Sequence, residues 1–134
     1  MERFVLESED VRAVFRSRQF ADGWLQSYAL ELEAPDFHAS TRVENPGYGH
    51  PPSQLFQELA THWSGWSGPK VWRAMEGELE IAATSDSVGH IKFELKVPTY
   101  SEASHWSASA WVVVEAGQLE RLAREAQAFF NAGA

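Results

Sequence analysis

Two long runs of strict alternation bracket the middle of this chain and leave few folds open to it. In the first run, Val11, Ala13 and Phe15 take one side while Arg12, Arg16 and Arg18 take the other. Trp24, Tyr28, Leu30 and Leu32 then alternate against Leu25, Ser27, Glu31 and Glu33, and Phe37, Ala39, Thr41 and Val43 against His38, Ser40, Arg42 and Glu44. A period of two marks strands with one buried face. The breaks are short (Glu7 to Asp10, Ala21-Asp22-Gly23, Pro35-Asp36), so successive strands are expected to pair as antiparallel hairpins.

Asn45 to Pro52 holds three prolines and two glycines and can only be a loop. Ser53 is placed to cap a helix. Leu55, Phe56, Leu59, Trp63 and Trp66 then recur at helical spacing, and Gly65 supplies the stop, so the pattern predicts a helix over about 54–64. Continuing that stripe places Trp63 and Trp66 in the core, with Trp72 beside them. The competing reading makes the three indoles the lining of an aromatic pocket.

Past Pro69 the alternation resumes. Gly77, Leu79, Ile81 and Ala83 face one way and Glu76, Glu78 and Glu80 the other. After a turn at Ser85 to Gly89, Ile91, Phe93, Leu95 and Val97 point inward, with Lys92, Glu94 and Lys96 outward. A last strand over about 106–114 puts Ala108, Ala110, Val112 and Val114 on one face, yet Trp111 and Val113 make the other apolar too. Leu119, Leu122, Ala123, Ala126, Phe129 and Phe130 form the stripe of a closing helix. Strands are thus expected at about 3–6, 11–19, 24–34 and 37–44, then a helix, then strands at about 70–84, 90–98 and 106–114, then a second helix. The economical arrangement is a single α+β domain spanning residues 1–134. It is one antiparallel sheet of about six to seven strands with both helices on its apolar face.

Composition narrows the function classes. A net charge of −8 disfavours nucleic-acid phosphate and favours a basic partner through long-range attraction. The chain has no cysteine, which removes disulfides and thiolate chemistry and suits a reducing cytoplasm. No basic-then-apolar leader opens it, and no apolar run reaches the roughly 20 residues that span a bilayer, so a cytoplasmic protein without membrane contact is expected.

Catalytic patterns are missing. His38, His50, His62, His90 and His105 are scattered without ligand spacing, so no metal is expected. Ser64 to Gly68 is glycine-rich but follows a helix, the wrong order for a phosphate cradle. No serine sits in a GxSxG elbow. No cofactor is implied. Among the aromatics, Trp111 is the one least explained by packing. We therefore expect it to anchor a protein partner, with Glu76, Glu78 and Glu80 as neighbouring acidic contacts.

The segments FQELATHWSGWSG, VWRAMEGELEIAATSDSVGHIKFEL and WVVVEAGQLERLAREAQAFF resemble a bacterial family of small uncharacterised domains. That family is itself similar to the immunity proteins of wall-associated polymorphic toxins. The resemblance implies a non-enzymatic binding module that neutralises a cognate toxin, and the acidic charge is compatible with a basic toxin domain. Two other classes stay open: a ligand binder or small enzyme with a pocket between sheet and helices, and an oligomeric accessory domain.

Overall fold

The computed structural model describes residues 2–46, 49–98 and 105–131. It contains eight strands and two helices: β1 (Arg3–Ser8), β2 (Val11–Ala21), β3 (Trp24–Ala34), β4 (Phe37–Glu44), α1 (Ser53–Thr61), β5 (Lys70–Arg73), β6 (Glu80–Ser85), β7 (His90–Pro98), β8 (Ser107–Glu115) and α2 (Leu119–Phe130). The strands form two separate four-stranded antiparallel meanders, β1-β2-β3-β4 and β5-β6-β7-β8. This overturns the expectation of one sheet of six to seven strands. Alternation reports that a strand has one buried face, not which ladder it joins.

Local chemistry explains the hairpins. Asp22 and Gly23 both hold positive φ (54° and 79°), the twist that a two-residue turn needs between Ala21 and Trp24. A turn also divides the run expected as one strand over 70–84. Gly77 sits at φ 79° and its N–H donates to the Ala74 carbonyl at 3.0 Å, reversing the chain between β5 and β6. Glu76 and Glu78 lie in this turn, where the E-G-E-L-E alternation mimics a strand. In β2, a bulge after Arg16 with Ser17 at φ 54° breaks the register against β3. Nearby, Arg18 donates to the carbonyls of Phe129 (2.8 Å) and Ala128 (3.2 Å), placing a cation at the negative end of α2.

The helices pack on each other and close one continuous core between the sheets. The joint is aromatic. Phe56 of α1 meets Phe4 of the first sheet at 5.1 Å between ring centroids and Phe93 of the second at 5.4 Å. Phe130 of α2 meets Phe4, Phe15 and Tyr28 at 5.9, 5.5 and 5.1 Å. The sheets also touch at their edges, where the Val113 N–H of β8 donates to Ser8 Oγ of β1. Arg12 and Arg16, and Glu80, Lys92 and Lys96, do sit outward, but on two different sheets.

Helix α1 ends sooner than its stripe suggests. Its last residue is Thr61 and His62 is the C-cap, so Trp63 falls outside it and is 65% exposed instead of being core. Ser53 is the first helical residue rather than the cap, and its hydroxyl bonds Asn131 Oδ1 at 2.6 Å, tying α1 to the end of α2. Trp66 and Trp72 pack partly against the core and donate to the carbonyls of Ala83 (3.1 Å) and His50 (2.8 Å). Phe56→Ala is expected to cost about 3–5 kcal/mol. Trp63→Ala should cost less than about 1 kcal/mol, the range of a surface change. Denaturant midpoints at unchanged m-value check both, and a larger loss for Trp63→Ala would contradict its exposed placement.

Candidate functional site

The outer face of the second sheet is laid out by cross-strand pairing. One row runs Val71, Ala82, Glu94, Trp111; the next runs Arg73, Glu80, Lys96, Ser109; a third runs Thr84, Lys92, Val113. Trp111 is 56% exposed, yet it is held on two sides. Its indole N–H donates to Glu94 Oε2 at 2.7 Å, and Lys92 Nζ lies 4.1 Å from the ring centroid. The second contact is a cation–π pair.

The charges around the indole are linked. Lys96 Nζ stands 3.5 Å from Glu94 Oε1 and 3.8 Å from Glu80 Oε2, and Arg73 Nε donates to Glu80 Oε1 at 2.5 Å. Exposed pairs of this kind contribute only about 0–1 kcal/mol each to stability. Their effect here is orientational, because they hold one large aromatic in one pose on an open surface. Val113 (43% exposed) and Val71 add apolar area on the same face. The Trp111 hydrogen bond is the chief cause of a lowered Glu94 pKa; desolvation opposes it, and the contacts of Lys96 and the charge of Lys92 add to the lowering.

Of the residues expected at a partner surface, Trp111 and Glu80 share this face. Glu76 is exposed in the β5–β6 turn. Glu78 turns the other way: its Oε2 accepts the Glu44 N–H at 2.7 Å, strapping the second sheet to the end of β4, and its Oε1 is buried without a hydrogen-bond partner among the described residues. The Tyr28 hydroxyl is likewise buried with no partner among the described residues. Burial, then the Glu78 charge, pushes the Tyr28 pKa well up. Lys92 and Glu94 were readable only as outward charges of β7. Their contact with Trp111 depends on the β7–β8 register, which the polar loop between those strands does not dictate.

Other groupings are structural. Asp86 Oδ1 accepts the N–H groups of Val88 (2.8 Å) and His90 (2.9 Å), and its Oδ2 meets His90 Nδ1 at 2.9 Å, which shapes the β6–β7 turn. The Asp86 contact and the Glu115 charge raise the His90 pKa. Glu31, Glu33 and His38 bring ligand atoms within 4.8 Å of one another on the first sheet. Those carboxylates already meet Arg16 and Arg12, so the trio is an ion-pair network rather than a free ligand set. A hollow of about 460 Å³ lies beside the β2–β3 turn, lined by Phe20, Trp24, Leu25, Pro51 and Phe130 among others.

A family model matches residues 5–133, nearly the whole chain. The chain belongs to a family of unknown function, DUF6228. No curated protein matches. Among solved structures, the plant transcriptional regulator PBF-2 aligns at 8% identity with a TM-score of 0.47, covering 93% of this chain and 78% of that one. A likeness that loose says nothing about activity. Membership of the family likewise brings no substrate or partner with it, so the functional case rests on the site itself. Among the described residues no helix is long and apolar enough to cross a membrane.

Trp111→Phe keeps the aromatic area but removes the donor to Glu94. The Glu94 pKa should then rise toward the ordinary carboxylate value, read by carboxyl NMR titration. A lowered folded-state pKa means stability that is present above the unfolded value and lost as pH falls through the folded one. The wild type should therefore lose more stability than Trp111→Phe on acidification below the ordinary glutamate range. Equal losses would show that the indole does not govern Glu94.

Proposed function

We propose that this protein is a non-enzymatic binding module that takes a protein partner on the outer face of its second sheet, with Trp111 as the anchor. The observation that carries the reading is the indole itself: more than half exposed, yet fixed by Glu94 and Lys92. A large side chain already held in place loses little rotational freedom on binding, and aromatic anchors rimmed by charge dominate interface energetics. Glu80 lies on the same face and Glu76 in the adjoining turn, and the net charge of −8 draws a basic partner from a distance. Glu78 acts as an inter-sheet strap in this reading rather than as a contact. The resemblance to immunity proteins makes the finer proposal a basic toxin domain, neutralised in the cytoplasm.

The test is to search for a toxin-like domain encoded beside this chain and to measure co-purification and titration with it; finding none there would remove the toxin reading. Trp111→Ala should stay folded and bind at least about 30-fold more weakly, the effect of losing a hot spot of ~2 kcal/mol. Glu80→Lys and Glu76→Lys should chiefly slow association, and wild-type association should slow with added salt. A folded Trp111→Ala that binds like wild type removes the anchor, and salt-independent association removes the steering.

A second reading has the apolar hollow beside Phe20 and Phe130 behind it, whose volume of about 460 Å³ suits a small ligand. Native mass spectrometry of the purified protein would reveal a retained small molecule, and that outcome would favour this reading.

A further inference from the structure

We infer that β4 is a docking edge, and that its occupant is the β4 strand of a second copy of this chain. The argument begins with the hydrogen-bond phase of the ladder. Asn45 N–H donates to the Gln26 carbonyl at 2.8 Å, continuing the β3–β4 register. In an antiparallel pair such positions alternate. Phe37, Ala39, Thr41 and Val43 thus turn their N–H and C=O groups toward β3, while His38, Ser40, Arg42 and Glu44 turn theirs away. Glu44 confirms the phase, because its N–H is the one that Glu78 Oε2 captures. Among the described residues nothing takes the outward backbone groups of His38, Ser40 or Arg42.

Exposed edges are hazards that folds usually blunt. Both edges of the second sheet show such devices. β5 is only four residues long. The outward amides of Val113 and Glu115 in β8 are taken by Ser8 Oγ and Gln118 Oε1. β4 runs for eight residues (FHASTRVE) without proline, lysine or a register break. Phe37 at its start is 38% exposed.

The sequence of the edge selects itself as partner. Two β4 strands pairing antiparallel about a two-fold axis at Thr41 set Ser40 opposite Arg42 of the second copy, and His38 opposite the other copy's Glu44. Both outer pairings are then compatible in charge; Ser40 and Arg42 meet through outward backbone groups that nothing among the described residues takes, while at Glu44 only the carbonyl is left for the His38 N–H, because Glu78 holds the Glu44 amide. Shifting the axis to Arg42 would set the two Arg42 side chains against each other, and shifting it to Ser40 would set His38 against Arg42. The Thr41 register avoids both. The result is a continuous eight-stranded sheet across two copies. The inference does not depend on the binding reading above, because it concerns the other sheet.

Sedimentation of the full chain at tens of micromolar should show a species of twice the 15.0 kDa chain mass. Ser40→Pro removes an outward donor without touching the β3 ladder, a position an edge strand tolerates. Because the two-fold axis doubles the lesion, self-association should weaken about a hundredfold. Ser40→Lys sets a like charge opposite Arg42 of the second copy and should also yield monomer. Its lysine faces Glu31 within its own sheet, so it keeps the test decisive if the proline variant misfolds. Amides of His38, Ser40 and Arg42 should exchange slowly in the wild type and fast in Ser40→Lys. A wild type that stays monomeric, or folded Ser40 variants that still dimerise, would overturn the inference.

Discussion

Phe56 and Phe130 hold the two halves of this molecule together. Two four-stranded meanders, each apolar on one face, share no ladder. Phe56 reaches Phe4 on one sheet and Phe93 on the other, while Phe130 stacks edge-on against Phe4, Phe15 and Tyr28. Both side chains are buried in a single cluster with residues of both sheets. The sheets could part without these wedges. Polar links join them too, among them the Ser8–Val113 contact at the edges and the Glu78 strap onto Glu44.

Burying both sheet faces around two short helices frees the opposite faces for other work. The first sheet fills its outer face with ion pairs, Arg12 to Glu33 and Arg16 to Glu31. The second leaves Trp111 standing among linked charges. That contrast separates a solvated face from a candidate contact surface, since paired charges in water contribute little while an oriented indole is ready to be buried. Glu78 illustrates the same division from the other side. A carboxylate that looked like surface charge instead takes the Glu44 amide between the sheets, and its charge adds to burial in raising the pKa of the Tyr28 hydroxyl.

Six of the eight strands, both helices and the outward position of Trp111 follow from periodicity, because period two and period 3.6 are local properties of the chain. The helix stripes of Phe56 and Phe130 are legible for the same reason. What periodicity could not supply is partnership between distant segments. It did not separate β5 from β6, since Gly77 at positive φ interrupts an alternating pattern without altering it. It carried Trp63 into the core by extending a stripe beyond the last helical turn. Nor did it show that the halves form two ladders, because strand pairing is a long-range choice that edge geometry and the aromatic joint settle together. The cradle of Trp111 belongs to that second class. An exposed indole could be anticipated from one strand, but its partners Glu94 and Lys92 come from the register of another, and only the folded sheet brings them into contact.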